Sequence, residues 1–203
     1  MVSLAVIAVV LKLVEFFLGS LFDRSRWVRR KLLAEQYIEG TWFDIMRRGG
    51  KPVEIGVSRL RYKDFTIRFS GEDYNIENDP GMEAGHCSPF DADMVHFNGE
   101  VLAYKYTARR SDDANITTQG YGELQFFSVE DGAPSKYSGS YFVLQCNEKM
   151  CFEGFKLDEK ADAEALDLFK RGRTREALRV LWSQQKQSRT AALPARGGAE
   201  RNG

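Results

Sequence analysis

Histidine and cysteine are scarce in this chain, and charge of neither sign dominates. The two histidines are His86 and His96, and the three cysteines are Cys87, Cys146 and Cys151. An odd cysteine count at irregular spacing is not the framework of a small secreted disulfide protein. Cys146 and Cys151 flank a hairpin loop at residues 147–150 and are placed to face each other across two strands; in a reducing cytosol they stay thiols. His86 and Cys87 are adjacent, which suits a tetrahedral zinc site poorly, and no C-x-x-C pair exists, so no metal is expected. There is no G-x-S-x-G, no H-E-x-x-H and no glycine-rich phosphate loop before a helix. Glu72, Asp73, Glu77 and Asp79 crowd together without the spacing or closing glutamate of a calcium loop, and read as a solvated loop. With no nucleophile, base or metal set, the chain reads as a non-enzyme without a cofactor. Lysine plus arginine number 29 against 29 aspartate plus glutamate, which points to no polyanionic partner such as DNA or RNA.

What the sequence does have is a long apolar start. Residues 2–22, VSLAVIAVVLKLVEFFLGSLF, come close to the roughly 20 residues a helix needs to cross a bilayer. Only Lys12 and Glu15 interrupt the run, three apart and on one helix face. A signal peptide carries its positive charge before the apolar core and small residues at its cleavage site. Here Arg24, Arg26, Arg29, Arg30 and Lys31 come after it, and Phe16, Phe17 and Phe22 crowd its downstream end. Residues 1–36 are therefore expected to form a retained transmembrane helix and a basic juxtamembrane linker. The positive-inside rule keeps the domain downstream of this cluster in the cytoplasm, and Trp27 suits the headgroup zone. The alternatives are an amphipathic helix lying in the interface or a helix packed on the downstream domain.

Residues 37–157 change character. Short runs rich in β-branched and aromatic residues alternate with glycine, proline, asparagine and aspartate, the pattern of an all-β sandwich or barrel. Strands are expected to about residue 47, then at 53–62, 65–70, 94–97, 101–108, 117–129, 135–146 and 151–157. Turns fall at Gly49-Gly50, Lys63-Asp64 and Asn98-Gly99, and the stretch 74–89 reads as irregular. Eight strands joined mostly by short turns predict a mainly β fold, an eight-stranded antiparallel up-and-down barrel. Gly122 and Gly139 lie inside strands, where glycine marks a sharp bend or a close approach. Residues 158–187 turn to helical spacing, with Gly172 as the break, and predict a C-terminal helical pair, packed on the barrel or used for docking. The small and polar residues 188–203 read as a disordered tail.

Binding fits better than catalysis. Arg59, Arg61 and Arg68 fall on neighbouring strands, and tyrosines, Tyr104 and Tyr106 among them, recur through the domain. Arginine forks bind phosphate and aromatic faces stack on bases. Arg68 alternates with Thr66 and Ser70; if that face is the lumen, it calls for an anionic partner. The plain alternative has the arginines facing solvent and the tyrosines filling the barrel.

Two families share parts of this pattern. Gly40-Thr41-Trp42 leading into an eight-stranded barrel resembles the lipocalins, which implies a small apolar ligand in the lumen. The fuller set is Glu39-Gly40-Thr41-Trp42, Phe69-Ser70-Gly71, Leu102-Ala103-Tyr104-Lys105-Tyr106, Gly120-Tyr121-Gly122-Glu123-Leu124-Gln125-Phe126 and Tyr137-Ser138-Gly139. With the apolar start, it resembles the membrane-anchored β-barrel effectors of bacterial CBASS anti-phage signalling. That resemblance implies a bacterial inner-membrane protein with its barrel in the cytoplasm; the one apolar run of this sequence makes it single-pass. The resemblance further implies binding of a cyclic di- or trinucleotide, homo-oligomerisation on activation and membrane disruption. By the alternation argument, not by the resemblance, Arg68 with one or both of Arg59 and Arg61 would then hold phosphates, and Tyr104 or Tyr106 would stack on a base. Such effectors carry two transmembrane helices where this sequence has one, and the C-terminal helices depart from their pattern.

Overall fold

The computed structural model describes residues 4–77, 82, 87–109, 117–127, 132–145 and 148–192. The chain divides into two compact units, Met1–Leu157 and Asp158–Gly203. The first holds α1 (Leu4–Arg24), α2 (Arg26–Leu33), a 3-10 turn (Ala34–Gln36) and eight strands. These are β1 (Gly40–Arg48), β2 (Lys51–Lys63), β3 (Thr66–Asn75), β4 (Cys87–Phe97), β5 (Val101–Arg109), β6 (Thr117–Phe127), β7 (Lys136–Val143) and β8 (Glu148–Lys156). Each strand pairs antiparallel with the next, and β8 pairs back onto β1, so the expected up-and-down barrel is closed. Closure removes the unpaired edges that an open sheet of this kind would expose.

The turns obey local chemistry with one shift. Gly49 and Gly50 take the positive φ values, 56° and 79°, that the β1–β2 hairpin needs. The Asn98 side chain accepts from the amides of Glu100 and Val101, fixing the β4–β5 turn. The β2–β3 turn sits at Asp64-Phe65 (φ 51° and 57°) rather than at Lys63-Asp64, so Phe65 leaves the strand and is exposed.

Both ends of the stretch 74–89 are strand where composition predicts irregular chain; residues 78–81 and 83–86 lie outside the described residues. Tyr74 pairs with Cys87, Asp73 with Ser88 and Glu72 with Pro89, so β3 runs longer and β4 starts earlier. Pairing on both sides has overridden weak local propensity. Glu72 and Asp73 therefore stand on a strand, not in a solvated loop; Glu77 is exposed beside Arg48, and Asp79 lies outside the described residues.

The lumen is filled by side chains. Trp42, Leu60, Phe69, Leu102, Leu124 and Tyr137 are all at most 2% exposed and belong to one cluster. Trp42 and Tyr137 lie 5.0 Å apart and Phe69 and Tyr104 4.8 Å, measured between ring centres. Large rings on one strand sit over glycines on the next: a Cβ at Gly122 would collide with the Tyr104 ring, and one at Gly154 with the Tyr137 ring. Gly122 and Gly139 thus mark close approach by side chains, the Tyr104 ring at the first and the Phe152 ring and Leu124 at the second. Gly154→Ala is expected to cost about 1–3 kcal/mol through overpacking. Equilibrium urea unfolding checks this, and an unchanged midpoint would show that the Tyr137 ring does not need the space.

In the second unit, α3 (Ala163–Lys170) and α4 (Thr174–Ala192) form the expected helical pair. Gly172, at φ 74°, ends α3, and the Arg173 amide closes back onto the Leu168 carbonyl. Ala165, Phe169, Ala177, Leu178 and Leu181 are buried. The α4 helix runs to Ala192, into the segment expected to be disordered; residues 193–203 lie outside the described residues.

The N-terminal expectation needs correction. The segment is a helix, but among the described residues no helix is long and apolar enough to cross a membrane. Lys12 and Glu15, ion-paired at 2.7 Å, break the apolar run in its middle, and Asp23 and Arg24 end it. Its apolar side chains are nevertheless exposed: Val9 60%, Leu11 62%, Phe16 71% and Phe17 68%.

Candidate functional site

Strand alternation decides where each candidate residue points. Leu60 and Phe69 pair across β2 and β3 and are buried in the lumen cluster. Arg59, Arg61 and Arg68 are each one residue out of phase with that pair, so they point outward. Arg61 stands directly opposite Arg68, and Arg59 opposite Ser70. Arg61 and Arg68 are exposed, and Arg59 is half-buried. The face holding Thr66, Arg68 and Ser70 is therefore the outer wall, not the lumen. Tyr104 and Tyr106 face inward and are 6% and 7% exposed. The wall separates the two sets, so the three arginines come together and the two tyrosines do not join them.

Like charges directly opposite on adjacent strands repel. Among the described residues, Arg59, Arg61 and Arg68 take part in no ion pair. Asp91 lies beyond Ser70, one strand further on. The result is a cationic patch on the β2–β3 wall, next to the Asp64-Phe65 turn.

That turn is also where the N-terminal helices dock. Phe22 of α1 stacks on Phe65 at 4.8 Å and meets Tyr62 edge-on at 6.0 Å, and Asp23 accepts from the Asp64 amide at 2.9 Å. Ser25 caps α2, accepting from the Val28 amide, and so separates the two helices. Arg29 is the clamp. Its Nε and Nη2 donate to the two carboxylate oxygens of Glu39 at 2.7 and 2.8 Å. Its Nη1 donates to the Phe22 and Asp23 carbonyls at 2.7 and 2.8 Å. One buried guanidinium thus ties the C-terminal end of α1 to the strand-leading segment of the barrel.

The lumen holds a polar set that no sequence motif announces. Asp44 is 3% exposed, and Tyr137 donates to it; Tyr137 also lies 3.2 Å from the Ser58 hydroxyl. Burial pushes the Asp44 carboxyl up to about 7, against the pull of its Tyr137 and Ser58 hydrogen bonds. Asp73 faces inward over Gly56. Burial, and then the nearby Glu54, Asp44 and Glu72 carboxylates, raise it well above the usual range. One sequence signal for Asp44 exists: it stands two residues from Trp42, and a lumen-facing tryptophan carries its second neighbour inward. At the opposite end Lys156 lies over the Tyr37 and Trp42 rings at 4.9 and 5.5 Å, and burial lowers it to about 8.

A groove of about 470 Å³ crosses the outer wall where Ser138, Gly139 and Ser140 leave it thin. Arg47, Glu123 and Glu153 line it, and Arg47 is spent on Glu153 at 3.9 Å. Two carboxylates against one paired arginine disfavour a phosphate there. Cys151, also at the groove, and Cys87 are free thiols; Cys146 and His86 lie outside the described residues. Among the described residues no group of three or more metal-ligating side chains occurs. No protein-family model matches the chain, and no curated protein matches it either.

Proposed function

We propose that this protein is a membrane-attached barrel sensor that binds a phosphate-bearing ligand on its outer wall. The observation that carries the reading is the facing pair Arg61 and Arg68 with Arg59 beside them, three guanidiniums together on a β-wall whose lumen is already packed. A carrier of small apolar molecules needs an open cavity of roughly 300 Å³ or more, and side chains occupy this lumen instead. The ligand class indicated by the CBASS resemblance is a cyclic di- or trinucleotide, whose phosphates match two or three arginine forks. Tyr104 and Tyr106, inside the wall, take no part in that contact. The exposed apolar α1 attaches the barrel to a bilayer, with the barrel on the cytoplasmic side of the inner membrane. Ligand binding then drives self-association and disturbance of the bilayer through α1, without covalent chemistry.

Calorimetry on the full chain in nanodiscs with a panel of cyclic di- and trinucleotides tests this. One member is expected to bind, and Arg68→Ala or Arg61→Ala to weaken it about tenfold or more, since charge-assisted bonds contribute roughly 1.5–3 kcal/mol each. Either substitution should leave the urea midpoint level or higher, because it relieves the Arg61–Arg68 repulsion. No binding across the panel removes the nucleotide reading and favours a tethered interaction scaffold. Binding that survives both substitutions removes the arginine wall as the site.

A further inference from the structure

The end of the barrel where α1 leaves exposes large apolar side chains beside basic ones. Trp27 on α2, Leu32 at the end of α2 and Phe65 in the β2–β3 turn are 68%, 70% and 62% exposed. Arg24, Arg30, Lys31 and Lys63 stand among them, all exposed. The α2 helix turns Arg29 toward the barrel, which leaves Trp27 and Lys31, one turn apart, on its opposite side. Phe65 contacts α1 directly, its ring 3.2 Å from a Cβ placed on Gly19. Exposed large apolar side chains ringed by cations, continuous with an exposed apolar helix, match the boundary between acyl chains and anionic headgroups.

We infer that this end of the barrel seats on an anionic bilayer, with Trp27, Leu32 and Phe65 at the acyl–headgroup boundary and Arg24, Arg30, Lys31 and Lys63 on lipid phosphates. The inference rests on the membrane-attached reading and extends it. The α1 helix is then no loose tether, because the barrel itself lies on the surface, and the Arg29 clamp fixes its tilt. The charge balance favours an anionic lipid surface over an apolar protein partner: the exposed Arg24, Arg26, Arg30, Lys31 and Lys63 outnumber the exposed Glu35 and Asp64 of the same segments, and a neutral partner would leave that excess unanswered.

The test uses the full chain and vesicles of phosphatidylcholine with and without phosphatidylglycerol, carrying acyl chains brominated near the headgroup. The signal is the part of the tryptophan emission that disappears in Trp27→Phe, since Trp42 is buried and Trp182 lies in the second unit. That part should be quenched severalfold in phosphatidylglycerol vesicles. In the double variant Arg30→Glu, Lys31→Glu it should need roughly thirtyfold more anionic lipid, at about one kcal/mol for each basic side chain lost. A chain that floats with vesicles while Trp27 stays unquenched overturns the seating and leaves α1 attachment standing. Quenching that ignores phosphatidylglycerol and the double variant overturns the headgroup contacts. A chain that does not float at all overturns both readings.

Discussion

Arg29→Ala is expected to destabilise the first unit by about 3 kcal/mol and to free the N-terminal helices from the barrel. Removing one partner of a buried ion pair costs roughly 3–5 kcal/mol, because the other charge stays buried and unanswered. Here the stranded groups are the Glu39 carboxylate and the Phe22 and Asp23 carbonyls at the end of α1. The lower end of the range applies because the pair lies at the rim of the barrel, beside a part-buried Tyr37–Glu39 contact. Arg29→Lys should recover only part of the loss, since an ammonium cannot reproduce two forks at once. Urea unfolding reads the stability, and limited proteolysis at Arg24, Arg26 and Arg30 reads the release. An unaltered midpoint with no new cleavage would show that Phe22 stacking on Phe65 holds α1 without the clamp.

The second large effect is on pH dependence. The folded-state value of Asp44 is raised to about 7 from an ordinary 3.8, so the native chain holds a proton there that the unfolded chain has released. Between those values the native state binds more protons, and stability falls as pH rises. The contribution is whole below about pH 4, is lost on the way to pH 7, and stays lost above. Three units correspond to about 4 kcal/mol at most. Asp44→Asn removes this dependence. Above pH 7 the variant should be the more stable chain, by an amount reduced by about 1–3 kcal/mol if its amide hydrogens lack acceptors. Asp73, raised by burial, leaves a residual slope of the same sign. Urea midpoints at pH 4, 6 and 8 decide it: curves that stay parallel for the two chains would mean that Asp44 is ionised throughout. A buried carboxylate that weakens the fold at neutral pH has its stabilising use only when protonated.

The number of strands and their closure into one antiparallel barrel were legible in the sequence. Short alternating runs, the Gly49-Gly50 and Asn98-Gly99 turns and the scarcity of long connections encode local geometry directly, and a helical period after residue 157 does the same. Three things were not legible. Alternation assigns residues to two faces but does not say which face is inside. On β2, Glu54, Gly56 and Ser58 face the lumen while Ile55 and Val57, apolar and buried, face outward. An apolar-inward rule inverts that strand, and the same ambiguity left Arg68 assignable to either side. The end of β3 and the start of β4 depend on pairing between Asp73 and Ser88 and between Glu72 and Pro89, which no local propensity favours. The clamp and the lumen set join residues that no local pattern links: Arg29 to Glu39 across a helix end, and Asp44 to Tyr137 across the barrel. Hydrogen bonds of that kind depend on which side chains closure brings within reach. The sequence by itself therefore determined the elements, their order and the apolar start. The tertiary structure decided which charges are buried together, which stand alone on the wall, and where the N-terminal helix is held.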